Sequence, residues 1–309
     1  MQKISPCLWF DTQAEEAMNF YVSTFKKAFG DALPSKVGMI RRYPDEVPME
    51  FMKGREGKVI TGIFELAGQS FMALDGGPLF KFNPSISLMV RCQTEACLDT
   101  LWNHFIDGGE VMMPLDTYSF SKKYGWLNDK YGLSWQMILV EEGEELGVTP
   151  SFLFVKDQVG KAEEAMRFYV DTFSDSSING EIHHYGDALP PNDPKHVMHA
   201  EFKLKGQTFT IADSAEKHDF NFSEAVSLYV ECDTTAELDH LWETLSAVPE
   251  SEQCGWLKDR YGVSWQIAPK QLEEMMSDPD PAKVERVTNA VLSMKKLDLE
   301  QLRAAYNGA

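Results

Sequence analysis

The segment from Tyr124 to Ile138 reads YGWLNDKYGLSWQMI, and the segment from Cys254 to Ala268 reads CGWLKDRYGVSWQIA. Three more blocks occur twice in the same order: AEEAMNFYVSTF and AEEAMRFYVDTF, FELAGQSFMALD and FKLKGQTFTIAD, SLMVRCQTEACLDTLW and SLYVECDTTAELDHLW. The repeating unit of about 140 residues has the size of a domain rather than of a solenoid repeat. The sequence therefore predicts a duplicated domain, in which each half serves as a control for the other.

The composition limits the classes of protein to consider. The 309 residues are 43% hydrophobic and 25% charged, which is typical of globular proteins and long enough for two domains. The sequence has no apolar run long enough to span a membrane and no signal peptide, and its five cysteines form no CxxC pair. These features predict a cytoplasmic protein. The formal charge of −19 disfavours binding to nucleic acid or anionic membranes, and it permits a cationic ligand.

Each half reads as strand, helix and strands, and then the same order again. Ala17, Tyr21 and Phe25 are spaced four apart and form one apolar helix stripe, which the second half repeats. The pattern predicts an α+β fold in which each half contains two βαβββ modules, with mixed sheets and outer helices. It leaves open whether the two halves share a sheet.

The boundaries follow from composition. We predict a first domain over residues 1–143, a second over 148–270 and a C-terminal helical segment over 271–309, with an acidic linker between the domains. The first half carries the additional stretch GGEVMMPLDTYSFSKK, which extends a strand or a loop at a cavity mouth. The C-terminal segment has two interpretations: a helical hairpin packed on the second domain, or a lid or dimer contact.

The GWL-[ND]-D-[KR]-YG-x-SWQ block, the AEEAM-x-FY helix and the tail DPDPAKVERVTNAVLSMKKLDLEQL together resemble the PhnB-like proteins. These belong to the vicinal-oxygen-chelate, or glyoxalase/bleomycin-resistance, superfamily, and many are described as 3-demethylubiquinone-9 3-methyltransferases. The resemblance covers both halves as tandem copies. The sequence gives methyl transfer no support, because it contains no Gly-rich strand–turn–helix motif to hold S-adenosylmethionine.

The resemblance implies a U-shaped sheet around a cavity in each domain. In metal-dependent members, His and Glu side chains at four strand positions hold one divalent ion, which acts as a Lewis acid. Here those positions fall near Ser5, 73–75, Ser85 and Gln136 in the first half and near Thr149, 211–213, Ala225 and Gln266 in the second. Neither set has two histidines and two carboxylates, so we predict no metal and no cofactor. A divalent metal held by the cluster His183, His184, His196 and His199 is the alternative.

Five residues are predicted to line a cavity. Gln136 and Gln266 follow core tryptophans on a strand and so point to the opposite face, where a polar group can orient a small ligand. Their alternative role is that of buried amides which join strands. Trp126 and Trp256 are expected at the cavity edge, and His199 inside it.

Two further carboxylates are candidates for catalysis. Asp75 and Asp213 end the GQ-x-F strands, as turn-forming residues or as a general acid or base, and His199 is the third catalytic candidate.

The sequence predicts a metal-free small-molecule-binding protein, monomeric or a loose homodimer, with its ligand in one or both cups. The alternative is a metal-dependent enzyme of the glyoxalase or dioxygenase type, with non-standard ligands in the second domain. A third possibility is that the first half is a degenerate copy that only packs against the second. Whether the protein is an enzyme, and which ligand it binds, stay open at this level.

Overall fold

The computed structural model describes residues 3–43, 53–187 and 190–308. These residues form four modules and a C-terminal segment. The first repeat contains β1 (Ile4–Phe10), α1 (Ala14–Phe29), β2 (Lys36–Arg42), β3 (Val59–Leu66), β4 (Gln69–Asp75), β5 (Ile86–Cys92), α2 (Glu95–Phe105), β6 (Glu110–Tyr118), β7 (Ser121–Asn128) and β8 (Ser134–Leu139). The second contains β9 (Gly147–Phe154), α3 (Ala162–Thr172), β10 (Ser177–His184), β11 (Val197–Leu204), β12 (Gln207–Asp213), β13 (Val226–Cys232), α4 (Thr235–Leu245), β14 (Trp256–Lys258) and β15 (Ser264–Pro269). Helices α5 (Gln271–Met276), α6 (Pro281–Ser293) and α7 (Leu299–Asn307) follow.

Both sheets draw strands from both repeats. The seven-stranded sheet has the order β14-β15-β13-β1-β4-β3-β2, and the eight-stranded sheet has the order β10-β11-β12-β9-β5-β8-β7-β6. Antiparallel pairing of β1 with β13 joins the first module to the fourth, and antiparallel pairing of β5 with β9 joins the second to the third. The α+β class and the tandem glyoxalase-like architecture are as predicted. The open question of sheet sharing is answered: the repeats complete each other's sheets.

The prediction of outer helices is wrong: helices α1 to α4 lie between the two sheets, whose inner faces they cover. The Tyr21 ring of α1 contacts Phe64 of the seven-stranded sheet, with centroids 6.5 Å apart, and Trp135 of the eight-stranded sheet at 5.2 Å. In the second repeat, the Tyr169 ring of α3 lies 6.3 Å from Phe152 and 5.4 Å from Trp265, which are again in different sheets. The inner faces of both sheets therefore bury one continuous apolar core.

The repeated GWL…SWQ block connects the first helix of each repeat, α1 or α3, to the hairpin that ends that repeat. The buried carboxylate of Asp129 accepts hydrogen bonds from Tyr21 Oη at 2.7 Å and Trp135 Nε1 at 2.9 Å, and from the N–H groups of Tyr131 and Leu133. Gly132 has a φ of 85°, which the turn at this point requires. Burial raises the pKa of Asp129, although all four hydrogen bonds favour the ionised form.

The second repeat builds the same network with other residues. The Asp259 carboxylate accepts from Tyr169 Oη at 2.8 Å and from Trp265 Nε1 at 2.9 Å. Because the network occurs twice, it belongs to the fold rather than to one ligand site.

The C-terminal segment covers the outer face of the seven-stranded sheet. Its helices form a small apolar cluster with Ala268 and Tyr229, which lie on that face. The N–H groups of Cys254 and Gly255 donate to the carbonyls of Met294 and Lys295 at 2.8 and 2.7 Å, so the residues after α6 lie along the edge of the sheet at β14. In the eight-stranded sheet, β6 occupies the corresponding edge, where it pairs with β7. The extra stretch of the first repeat forms β6 and the start of β7. The extra stretch of the first repeat and the C-terminal segment thus cover corresponding edges of the two sheets.

An ion pair joins the C-terminal segment to the far edge of the same sheet. Arg41 of β2 binds Glu273 of α5 at 2.9 Å, although β2 is at one end of the strand order and β15, which precedes α5, is next to the other end. The segment therefore crosses the concave face from one end to the other. This placement combines both interpretations of the sequence, since the helices pack on the second repeat and also close over the sheet.

Replacing Tyr21 or Tyr169 by Phe should lower the free energy of unfolding by about 1–3 kcal/mol, because a buried carboxylate loses a donor. Urea denaturation measures the change. The Tyr118→Phe variant is the control, since the hydroxyl of Tyr118 is exposed and bonds only the Pro114 carbonyl at 2.9 Å. Equal stability of all three variants would contradict a structural role for the network.

Replacing Leu302 by Ala should detach the C-terminal helices, because this fully buried side chain sits at the centre of their cluster. Loss of such a side chain costs about 2–5 kcal/mol. Hydrogen exchange of residues 271–308 should accelerate, while exchange in the eight-stranded sheet stays unchanged. Arg303→Ala, on the exposed side of α7, is the matched control. Slow exchange in the Leu302 variant would show that the helices are held by other contacts.

Candidate functional site

The outer, concave faces of the sheets form two cups. We call the outer face of the seven-stranded sheet cup 1 and that of the eight-stranded sheet cup 2. In cup 2 an ion pair joins Arg91 of β5 to Glu201 of β11, across β9 and β12. Three strand spacings on a flat sheet are about 14 Å, so this contact is favoured by a sheet that curls toward the cup.

The floor of cup 2 is a hydrogen-bonded cluster around Gln136. Its Oε1 accepts from Tyr124 Oη at 2.6 Å, and its Nε2 donates to Ser87 Oγ at 2.8 Å and lies 3.4 Å from Ser151 Oγ. All four side chains are buried. Ser87 and Ser151 are directly paired across the β5–β9 boundary between repeats. The second repeat therefore contributes Ser151 to a cluster whose other members come from the first.

Thr210 extends this floor on β12, next to Ser151. Its Oγ1 is fully buried and has no hydrogen-bond partner among the described residues. A buried hydroxyl without a partner is costly in a finished core and is expected where a bound molecule supplies the missing contact.

A small polar cavity of about 90 Å³ continues the floor toward the linker between the repeats. Arg91, Thr149 and Thr208 line its inner side, and Glu145 of the linker lines its outer side. Gln207 also lines it, and its Oε1 is a second buried acceptor that lacks a partner within the described residues. The space corresponds to about three water molecules.

One wall of cup 2 carries His199. Its Nε2 lies 3.9 Å from Glu201, and His183 is its cross-strand neighbour. Burial, with smaller effects from Arg91 and His183, lowers the pKa of His199 to about 4. Arg91 neutralises the Glu201 carboxylate, so this carboxylate does little to stabilise a protonated imidazole. His199 is therefore a neutral imidazole near pH 7.

Cup 1 has the same geometry with different chemistry. Gln266 Nε2 donates to Ser227 Oγ at 3.0 Å, but Cys7 stands at the place of Ser151 and Met72 at the place of Thr210. Burial raises the pKa of the Cys7 thiol to about 11. This thiol is thus an inert, protonated group rather than a nucleophile.

Aromatic rings and the C-terminal helices fill the rest of cup 1. Trp9 packs edge-on against Phe80 at 4.9 Å and against Trp256 at 6.1 Å. Its indole N–H donates to the Gly77 carbonyl at 2.8 Å. Cup 1 is consequently an apolar, covered face, and cup 2 is the polar one.

The structure brings some of the predicted site residues together and separates others. Trp126 and Trp256 are half-buried and pair across the strands with Gln136 and Gln266, one pair in each cup. The Trp126 indole donates to Ser134 Oγ at 2.8 Å. His199 was expected in the same cup as Gln266, but it lies in the sheet that contains Gln136. Sheet exchange between repeats is the cause.

Asp75 and Asp213 lie on the helix side of their sheets, away from both cups. Asp75 accepts from the N–H groups of Ala14 and Val59 at 2.8 and 3.0 Å, so it caps α1 and anchors β3. Asp213 accepts from Gly160, Ala162 and Val197 in the equivalent way. Burial raises both pKa values. These contacts assign structural work to both carboxylates.

The histidines of the second repeat do not converge. His184 Nε2 contacts Glu163 Oε2 of α3 at 3.1 Å, on the helix side, whereas His183 and His199 lie on the cup side. His196 Nδ1 accepts from the Asp193 N–H at 3.1 Å in a loop. Across residues 3–43, 53–187 and 190–308, no three His, Cys, Asp or Glu side chains are grouped to hold a metal ion.

The donor set on the floor of cup 2 fits a divalent metal poorly. The floor consists of an amide and hydroxyls that bond each other. Neutral hydroxyls and amides compete weakly with water for such ions.

Sequence reasoning missed Tyr124, Ser87, Ser151, Thr210, Arg91 and Glu201. The signal lay in the differences between repeats, where Tyr124 is matched by Cys254 and Arg91 by Glu231. Without the strand register these differences could not be assigned to one cup.

A wider depression of about 510 Å³ lies outside both cups, between loops near Asn83, Glu110 and Asn128. Its one lysine, Lys130, is held by Glu16 at 3.0 Å. It shares no residue with the floor of either cup, and one of its lining groups, Asn128 Oδ1, is also buried without a hydrogen-bond partner among the described residues.

Acidification should destabilise the protein through His199. The unfolded chain takes up this proton near pH 6.5 but the folded chain only near pH 4, so stability falls as the pH drops through that interval. With 41% of the side chain exposed, the loss should be about 1–2 kcal/mol. His199→Gln should remove this part of the pH dependence in urea titrations. An unchanged pH profile would show that His199 is not the group responsible.

Comparisons with known proteins agree with this architecture. The family model described as 3-demethylubiquinone-9 3-methyltransferase matches residues 2–138 and 147–268. No curated protein matches. A protein from Bacillus cereus described as a putative 3-demethylubiquinone-9 3-methyltransferase, PhnB protein, is 45% identical over 45% of this chain and 100% of its own, with a TM-score of 0.40. The E144Q mutant of glyoxalase I from Zea mays is 10% identical over 87% of this chain and 95% of its own, with a TM-score of 0.52.

No helix among the described residues is long and apolar enough to cross a membrane. The two family matches correspond to the two repeats, and the maize structure shares the fold of the tandem pair. The chain therefore belongs to the 3-demethylubiquinone-9 3-methyltransferase (PhnB-like) family, in two tandem copies with the glyoxalase fold.

Proposed function

We propose that this protein binds a small organic molecule in cup 2 and does so without a divalent metal or another cofactor. The observation that carries the proposal is the Gln136 cluster, in which one amide and three hydroxyl groups bond each other on the floor of the cup. Beside it, the Oγ1 of Thr210 is buried without a hydrogen-bond partner among the described residues. A concave, partly apolar face with a few convergent polar groups is the usual form of a small-molecule site.

The hydrogen-bond directions suggest what the ligand carries. Tyr124 Oη donates to Gln136 Oε1, which leaves Nε2 to donate to the serines. The hydroxyl protons of Ser87 and Ser151 are then free to donate elsewhere, and the Thr210 hydroxyl has no partner at all among the described residues. Cup 2 therefore suits a ligand with acceptor oxygens, such as carbonyl or hydroxyl oxygens.

Cup 1 is a poor second site for the same molecule. The C-terminal helices cover its outer face, and Cys7 and Met72 replace two of the polar floor residues. We infer one ligand per chain. The cross-repeat sheets also favour a monomer, because the pairing between modules is satisfied within one chain.

Methyl transfer has no support in the loops that follow the strands. The connection from β1 to α1 is Asp11–Thr12–Gln13, and that from β5 to α2 is Gln93–Thr94. Neither contains the glycines that let a backbone approach a bound nucleotide-like cofactor. We treat the family description as a name and not as an activity.

An enzyme is the second candidate, and His199 is the observation that favours it. A neutral imidazole beside the Arg91–Glu201 pair is able to accept a proton from a bound substrate. Under this alternative, a metal-dependent lyase, isomerase or dioxygenase activity would be lost in His199→Ala. Retention of ligand binding without any turnover would favour the first proposal.

Native mass spectrometry of protein purified from its own host without chelator tests the proposal. We expect one organic adduct per chain and no stoichiometric metal ion. Gln136→Ala should lose the adduct, because it removes the amide that joins the polar groups on the floor of cup 2. The matched variant Gln266→Ala should keep the adduct. One divalent ion per chain, or equal loss of the adduct in both variants, would contradict the proposal.

A further inference from the structure

Two cysteines touch where β5 meets α2. Cys92 is the last residue of β5 and Cys97 lies in the first turn of α2, and their sulfur atoms are 3.0 Å apart. Both are buried, Cys92 completely and Cys97 with 8% of its surface exposed. A disulfide bond is about 2.05 Å long, so the two sulfurs need to approach by only about 1 Å to form one.

The surroundings distinguish the two thiols chemically. Thr94 caps α2 by accepting the Cys97 N–H at 3.2 Å, which places Cys97 at the positive end of the helix. The two sulfur atoms share one hydrogen bond, and this contact lowers the pKa of Cys97 and raises that of Cys92. Cys97 is thus the sulfur that ionises more readily, and Cys92 is placed to react with it.

We propose that Cys92 and Cys97 are a redox-active pair that a hydroperoxide converts to an intramolecular disulfide. The Cys97 thiolate attacks the outer oxygen of the hydroperoxide, and the O–O bond breaks to give a sulfenic acid and an alcohol, or water from hydrogen peroxide. The Cys92 sulfur then attacks the Cys97 sulfur. The S–S bond forms, the S–O bond breaks, and the hydroxide leaves with the Cys92 proton as water. Two thiols are oxidised by two electrons and one peroxide is reduced; an external thiol reverses the change.

The second repeat contains a natural control. Cys232 matches Cys92 at the end of β13, but Glu237 stands at the place of Cys97 and is paired with Lys205. Cys232 therefore has no thiol partner at the equivalent place. This difference between otherwise similar repeats is independent of the ligand site, and the proposal holds whether or not cup 2 binds a molecule.

Treating the native full-length chain with hydrogen peroxide tests the proposal. After alkylation in denaturant, the tryptic peptide 92–122, which contains both cysteines, should be two hydrogens lighter and unalkylated. Dithiothreitol should restore two alkylation sites. Cys97→Ser should abolish the loss of two hydrogens from this peptide, and Cys232→Ser should leave that loss unchanged.

A second variant guards against misfolding of the first. In Cys92→Ser, the sulfenic acid on Cys97 has no resolving thiol, so dimedone should label Cys97 in protein whose circular dichroism matches the wild type. Disulfide formation only in urea-unfolded protein, or oxidation of Cys97 to sulfinic acid with Cys92 still free, would overturn the proposal.

Discussion

The antiparallel pairing of strands from different repeats is the constraint on which the rest of the structure depends. β1 pairs with β13 and β5 with β9, so each sheet is completed by strands from both repeats. In cup 2, Ser87 and Gln136 come from the first repeat and Ser151 and Thr210 from the second. A duplication that pairs in this way lets one chain keep two different cups. One of them has become polar and the other has become a covered apolar face.

The repeated GWL…SWQ block explains how one strand serves both the core and the site. Side chains alternate across a strand, so Trp135 faces the helices and Gln136 faces the cup. The Trp135 indole bonds Asp129, which also receives the Tyr21 hydroxyl of α1. The block therefore fixes the helix layer on one side and presents an amide on the other. Its recurrence in cup 1, where the floor is otherwise different, indicates that packing alone preserves much of it.

Much of the fold could be predicted from the sequence, because local patterns determine it. The helix stripes of Tyr21 and Tyr169 and the opposite faces of Trp135 and Gln136 follow from spacing. Strand partners do not, since pairing between residues about 60 apart (Ser87 and Ser151) depends on the global arrangement of modules. His199 was therefore expected in the same cup as Gln266, whereas it lies in the cup that contains Gln136. Asp75 and Asp213 were candidates for catalysis because they end strands. The backbone groups that donate to them, from α1 and β3 or from α3 and β11, cannot be located from the sequence.

A single substitution tests the shared sheets most directly. Cys7 is the cross-strand partner of Ser227 in the β1–β13 pair, and their side chains are in contact. Changing Ser227→Cys therefore places a thiol opposite Cys7, and a Cys97→Ser background removes the competing partner of Cys92. Under mild oxidation we expect a disulfide within one chain, with no change in native mass and a faster-migrating band on non-reducing gels. A disulfide that forms only between chains would contradict the sharing of sheets between repeats.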